Sequence, residues 1–199
     1  MRLLRLEGGG EFSLVEYVGR NIPQYAILSH TWGADHEEVT FRDLTKGIGK
    51  SKAGYRKLTF CTKRAAHNGL QFFWVDTCCI DKSSSAELSE AVNSMFQWYH
   101  RAYKCYVYLS DVSISCSGRS DLCSQQTWKL AFQRSRWFTR GWTLQELLAP
   151  KSVEFFSIEG EQLGDKISLV QEIHDTTGIS VQALQGSPLS QFSVDERMS

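Results

Sequence analysis

The chain carries no net charge: 22 lysines and arginines are matched by 22 aspartates and glutamates over 199 residues. No run of Lys and Arg interrupts that balance. The electrostatic footprint of a nucleic-acid or anionic-membrane surface is therefore missing, and neither partner is expected. No apolar stretch approaches the ~20 residues that cross a bilayer. The opening Met1-Arg-Leu-Leu-Arg-Leu-Glu7 is broken by charge too often for a secretory signal, so a cytoplasmic location is expected.

Glycine-rich phosphate loops are missing as well. Neither a G-x-G-x-x-G nor a Walker pattern occurs, and Gly8-Gly9-Gly10 is not followed by a convincing helix. Dehydrogenase-type dinucleotide binding and P-loop chemistry fall away. Nor is there a C-x-x-C pair among Cys61, Cys78, Cys79, Cys105, Cys116 and Cys123. Zinc is not expected, and most of these thiols sit in apolar runs where reduced cysteine packs as a small hydrophobe. No metal and no bound cofactor is expected.

What is present suits one domain with a substantial core, since 42% of the residues are hydrophobic and 12% aromatic. Residues 3–7 and 12–18 read as a small N-terminal hairpin. Short apolar runs at 25–28, 72–75, 105–109 and 153–156 read as buried strands. Between them, residues 54–68 give a helical stripe of Leu58, Cys61, Ala65 and Ala66, ended by Asn68-Gly69. A longer helix follows Ser84-x-x-Glu87, with Leu88, Val92, Met95, Phe96, Tyr99 and Tyr103 as its buried face. A Ser/Cys/Gly-rich excursion occupies 113–126, and a helical stretch begins at Thr127. Another helix is expected over 165–177 with Gly178 beyond its end. The domain is placed at 1–184, with 185–199 a polar tail or linker.

Strands that alternate with helices imply a parallel sheet covered on both faces, whose ligands bind outside the carboxyl ends of the strands. The polar groups at those ends are Ser29 and His30, Asp76 and Asp81, and Ser110 and Asp111. Adjacent strand residues face opposite ways, so Ser29 and His30 do not serve each other as nucleophile and base; His30 reads as a hydrogen-bonding wall residue. A Cys79–His30–Asp81 thiol arrangement is the weaker alternative. Asp76 reads equally as a turn cap or a ligand contact, and Asp81-Lys82 as a surface pair. Trp32, Trp74, Trp137 and Trp142 are core by default, with one or two left at the rim to stack on a flat ring.

The stretch Ser135-Arg-Trp-Phe-Thr-Arg-Gly-Trp-Thr-Leu-Gln-Glu-Leu-Leu-Ala-Pro150 places one carboxylate, Glu146, among aromatic and apolar residues. On this stretch alone the plainer reading is a capping box, Thr143-x-x-Glu146. The other is a catalytic carboxylate aimed into a pocket. Because a crossover helix starts on the strand-end rim, Glu146 is expected beside Ser29 and His30, Asp76 and Asp81, and Ser110 and Asp111.

Tyr25-Ala-Ile-Leu-Ser-His-Thr-Trp-Gly33, Phe73-Trp-Val-Asp-Thr-Cys-Cys-Ile-Asp81 and Arg136-Trp-Phe-Thr-Arg-Gly-Trp-Thr-Leu-Gln-Glu-Leu-Leu-Ala-Pro150 resemble the three signature blocks of the fungal heterokaryon-incompatibility (HET) domain. The resemblance runs from about Met1 to the C-terminal end. It is nearest to the N-terminal HET domains of large NACHT/WD-repeat vegetative incompatibility proteins, with Lys82 where many members carry glutamine. The chain ends at Glu196-Arg-Met-Ser199, where the family sequence is expected to continue into further domains. The resemblance implies a TIR-like, flavodoxin-like α/β fold: a mostly parallel sheet flanked by helices, with an N-terminal hairpin and a loop insertion. It also implies programmed cell death on fusion of unlike fungal cells.

Trp142-Thr-Leu-Gln-Glu146-Leu147 is similar to the Trp-x-x-x-Glu-Leu motif of enzymatic TIR domains, whose glutamate serves NAD+ cleavage. The resemblance thus implies Glu146 as catalytic residue and NAD+ or a related dinucleotide as substrate. Ser29, His30, Thr31, Trp32, Asp76, Asp81, Arg140 and Trp142 are the substrate-binding candidates. Arg140 is open to two roles, pairing with a diphosphate or holding Glu146 or Asp76, the structural one slightly ahead. The expected partners are further copies of the chain and other domains of the same or partner incompatibility proteins. The alternative to an enzyme is a non-catalytic TIR-like module that signals death by binding or oligomerising.

Overall fold

A computed structural model describes residues 1–19, 21–114 and 128–187. Its centre is a seven-stranded sheet made of β1 (Arg2–Leu6), β2 (Phe12–Glu16), β3 (Ala26–His30), β4 (Phe72–Trp74), β5 (Lys104–Tyr108), β6 (Val153–Phe156) and β7 (Gln162–Asp165). The spatial order is β2-β1-β4-β3-β5-β6-β7. The inner four strands, β4-β3-β5-β6, run parallel, and antiparallel strands close both edges. Counted along the chain, the parallel set lies second-first-third-fourth. That is the flavodoxin-like order, with its switch point between β3 and β5.

Every residue of β3 is buried, as a central strand covered on both faces requires. On one face Tyr106 receives a hydrogen bond from Asn68, and Tyr108 packs on Phe60, both carried by or just beyond α2 (Tyr55–His67). On the other face Cys105 reaches the Glu146 carbonyl at 3.9 Å. The expected stripe on α2 holds for Leu58, Cys61 and Ala65, while Ala66 is exposed. The helix stops where Gly69 takes φ +70°, with Gly69 N–H bonded to Ala66 O and Leu70 N–H to Ala65 O. That pair of bonds satisfies carbonyls a helix end leaves open.

The helix α4 (Ser85–Arg101) departs from expectation. Its cap holds, with Glu87 N–H donating to the Ser84 hydroxyl. Its inward line, however, is Ala91, Met95, Trp98 and Tyr99, with Trp98 beside Trp74. Leu88, Val92 and Phe96, one turn apart along the flank, are 39–42% exposed, and Tyr103 beyond the helix is 51% exposed. The apolar stripe is wider than the surface α4 faces.

Two short elements escape periodicity. In the polar stretch after β3, α1 (Phe41–Thr45) is held by a capping box between Thr40 and Asp43. The expected helix over 165–177 divides into edge strand β7 and α7 (Val170–Thr177). Asp165 Oδ1 accepts the N–H groups of Ile167 and Ser168, so it makes a turn between strand and helix. Gly178 ends α7 in the left-handed region, at φ +73°. Remaining helices are α3 (Asp76–Cys79), α5 (128–133), α6 (Thr143–Leu148) and α8 (Val181–Leu184). The excursion from 115 to 126, with Cys116, Cys123 and Thr127, and the tail from 188 lie outside the described residues.

Candidate functional site

Ser29 is the next-to-last residue of β3, beside the switch point, and the 3-10 turn Arg136–Thr139 and α6 converge on it. Ser29 Oγ donates to Glu146 Oε2 at 2.5 Å and accepts from the Trp137 indole Nε1–H at 2.7 Å. Arg140 closes the group with a two-pronged contact, Nη1 to Oε2 at 2.7 Å and Nη2 to Oε1 at 3.0 Å. Glu146 is only 4% exposed. Burial disfavours the Arg140 cation, but the charge of Glu146 and its hydrogen bonds outweigh that and raise the Arg140 pKa.

The capping-box reading of Thr143 and Glu146 is overturned. The residue at the helix boundary is Trp142, and no side chain caps there. The Thr143 hydroxyl donates to Trp137 O at 2.7 Å, while the Glu146 carboxylate turns to Ser29 and Arg140. A buried carboxylate with no role at the helix start requires another reason to be there.

Glu146 rides on a firmly anchored element. Lys166, 7% exposed, donates to Leu147 O and Pro150 O, both at 3.1 Å, and His100 Nδ1 lies 3.1 Å from Ala149 O. These contacts satisfy the carbonyls that the C-terminal turn of α6 leaves open. Arg140 sits differently, on an extended connection followed by Gly141 and Trp142, both exposed.

A second group adjoins the first. His30 Nε2 lies 3.1 Å from Asp76 Oδ1, and Lys82 Nζ lies 4.0 Å from Asp76 Oδ2. Burial works against the Asp76 charge, but the hydrogen bond and charge of His30, with Lys82 and Arg140, outweigh it and lower its pKa. Asp76 Oδ1 also accepts the Thr77 N–H at 2.8 Å, so the turn-cap role is real alongside the pairing. His30 Nδ1 and Thr31 Oγ1 are buried without a partner among the described residues.

The ammonium of Lys82 stands 3.6 Å above the centre of the Trp32 ring, which is 48% exposed. The pair borders an open cavity of about 560 Å³ that Phe41, Arg42 and Asp81 also line. Asp81 thus faces this cavity, and its Oδ1 accepts from the N–H and hydroxyl of Ser83. Trp142 stands 43% exposed at the start of α6, whereas Trp74 and Trp137 are core.

The thiol arrangement fails on electrostatics. Burial pushes the Cys79 thiol up to about 12, where no thiolate nucleophile forms at neutral pH. Cys61, Cys78, Cys79 and Cys105 are free and buried. Among the described residues no group of three or more His, Cys, Asp or Glu could hold a metal, and no helix is long and apolar enough to cross a membrane.

Sequence reasoning missed the brace beneath the rim. Glu38, 6% exposed, pairs with Lys57, also 6% exposed, and accepts the Gly33 N–H at 2.6 Å. Lys57 also donates to Thr31 O at 2.9 Å, which fixes the turn that carries Thr31, Trp32 and Gly33. Neither residue stands in a motif.

The model for "Heterokaryon incompatibility protein (HET)" matches residues 25–121. Along its whole length the chain is 57% identical to the vegetative incompatibility protein HET-E-1 of Podospora anserina. It spans 14% of the length of that relative. No solved structure gives a significant match. With the signature blocks on the strand-end rim of a flavodoxin-like sheet, residues 25–121 match the heterokaryon-incompatibility (HET) family and the whole chain is similar to a vegetative incompatibility protein.

Proposed function

We propose that the domain cleaves the bond between nicotinamide and ribose in NAD+, with Glu146 as the catalytic carboxylate, and that this activity kills the cell in vegetative incompatibility. The observation that carries the reading is Glu146 itself: a buried carboxylate at the switch-point rim, aimed away from its own helix start and oriented by Ser29. One carboxylate suffices for this reaction. Most glycosidases need a second to protonate a poor leaving group. Nicotinamide is a pyridinium in NAD+ and departs neutral when the C1′–N bond breaks and takes its electron pair. Glu146 would hold a ribose hydroxyl and stabilise the oxocarbenium character at C1′. Addition of water at C1′ then gives ADP-ribose and releases one proton.

Buried Trp137 and partly buried Phe138 pack beside the site, and the exposed ring of Trp142 suits a flat ring of a dinucleotide, while the Trp32 ring already carries the Lys82 ammonium. The test is nicotinamide release from NAD+ by concentrated protein. Wild type is expected to turn over and Glu146→Gln to fall by about 10²–10³-fold; equal rates would refute the assignment.

One observation favours a second reading, in which the domain signals by association without catalysis. Among the described residues, Leu88, Val92 and Phe96 leave a partly exposed apolar stripe on α4. A stable, catalytically dead Glu146→Gln protein that still kills on expression would support it.

A further inference from the structure

The contact that identifies the site also closes it. Of the two carboxylate oxygens of Glu146, Oε2 is shared by Ser29 and Arg140, but Oε1 is held by Arg140 Nη2 alone. The guanidinium takes one acceptor position of Oε1 and Glu146 is only 4% exposed, so a ribose hydroxyl has to compete with Arg140 there. The two partners differ in freedom. Glu146 lies on α6, whose end is tied down by Lys166 and His100, and its Ser29 contact is backed by Trp137. The Arg140 side chain is 19% exposed against 5% for Glu146, and its chain continues into Gly141, whose surroundings are open. Arg140 is the less enclosed of the two partners. Removing it leaves the Ser29 bond on Oε2 intact and Oε1 free.

A planar guanidinium fork fits phosphate oxygens as well as it fits a carboxylate. We propose that Arg140 is a releasable cap on Glu146 that the diphosphate of the substrate draws away, so that recognising phosphate uncovers the catalytic carboxylate. This rests on the NAD+ reading above and adds a specificity rule. The site opens to phosphate-bearing nicotinamide nucleotides and stays shut to the phosphate-free riboside. Arg140 acts as a positioning and specificity residue.

The rule has a direct consequence for anion binding. In wild type an added anion competes with Glu146 for Arg140; without the Glu146 charge it does not. Inorganic pyrophosphate is titrated calorimetrically into the wild-type chain, Glu146→Gln, and Glu146→Gln/Arg140→Gln. The double variant strands no buried charge and so guards against a misfolded single variant. Glu146→Gln is expected to bind pyrophosphate at least about tenfold more tightly than wild type, the equivalent of one hydrogen bond to a charged group. The gain is expected to vanish in the double variant. Equal affinity in wild type and Glu146→Gln, or a gain that survives loss of Arg140, overturns the exchange.

The outcome separates from that of the hydrolase reading. Nicotinamide release without the pyrophosphate gain discards only the cap. The gain without nicotinamide release discards only the hydrolase.

Discussion

Two buried glutamates sit close to the end of β3, and each is paired with a cation, yet they are built differently. Glu38 and Lys57 are both interior, and each also bonds the backbone of the turn between Thr31 and Gly33. Neither can leave without stranding the other. Glu146 has an interior anchor in Ser29, but its cation comes from an exposed connection. Burial makes both pairs look structural. The position of the cation tells them apart: one pair has both members in the interior, and the other has a cation with a side open to solvent, as the proposed exchange requires.

The largest effect is expected from breaking the brace. Lys57→Met strands the Glu38 carboxylate and should cost about 3–5 kcal/mol in urea unfolding, as removal of one member of a buried pair does. Glu146→Gln keeps a hydrogen-bonding side chain opposite Ser29 and leaves Arg140 able to reach solvent. It should cost only about 1–2 kcal/mol in the same measurement. A Glu146→Gln loss as large as that of Lys57→Met would erase the difference between the pairs.

Asp76 gives a smaller, pH-dependent effect. Its folded pKa is lowered, so its stabilising contribution is fully present above the ordinary carboxylate value and is lost as pH falls through the folded value. Asp76→Asn should therefore lower the urea midpoint at pH 6, and the gap from wild type should shrink towards pH 3. A gap that widens on acidification would contradict the pairing with His30, Lys82 and Arg140. The least effect is expected at Cys79, whose thiol is buried and held near 12. Cys79→Ala should leave nicotinamide release within about twofold of wild type, since no step uses a thiolate. A loss on the scale of Glu146→Gln would revive thiol chemistry.

Much of the fold was legible because a parallel core strand advertises itself. Strands β3, β4, β5 and β6 are short apolar runs, and the polar residues that stop them mark the rim. Asn68-Gly69 announced the end of α2 because few residues other than glycine accept its φ of +70°. What stayed hidden depends on partners distant in sequence. The stripe on α4 has helical spacing, but spacing cannot say how wide a surface will face it. Strand β7, with glycine and two polar residues among its four, lacks the pattern of a strand and exists because β6 offers it an edge.

The site was legible in part. Glu146, Ser29 and Arg140 were all singled out, and the structure brings them within hydrogen-bond distance. The spacing of Thr143 and Glu146 suggested a cap because the pattern names the residues without their partners. The hydroxyl of Thr143 found Trp137 O instead. Glu38, Lys57 and Lys166 escaped notice because single charges in ordinary helical or loop sequence give no sign of burial.

The most direct test is a crystal structure of Glu146→Gln with NAD+ bound. The account predicts the nicotinamide ribose within hydrogen-bond distance of the side chain at position 146, Ser29 still holding that side chain, and Arg140 turned to the diphosphate. A dinucleotide seated away from Ser29 and position 146, with Arg140 still lying against the side chain there, would contradict it.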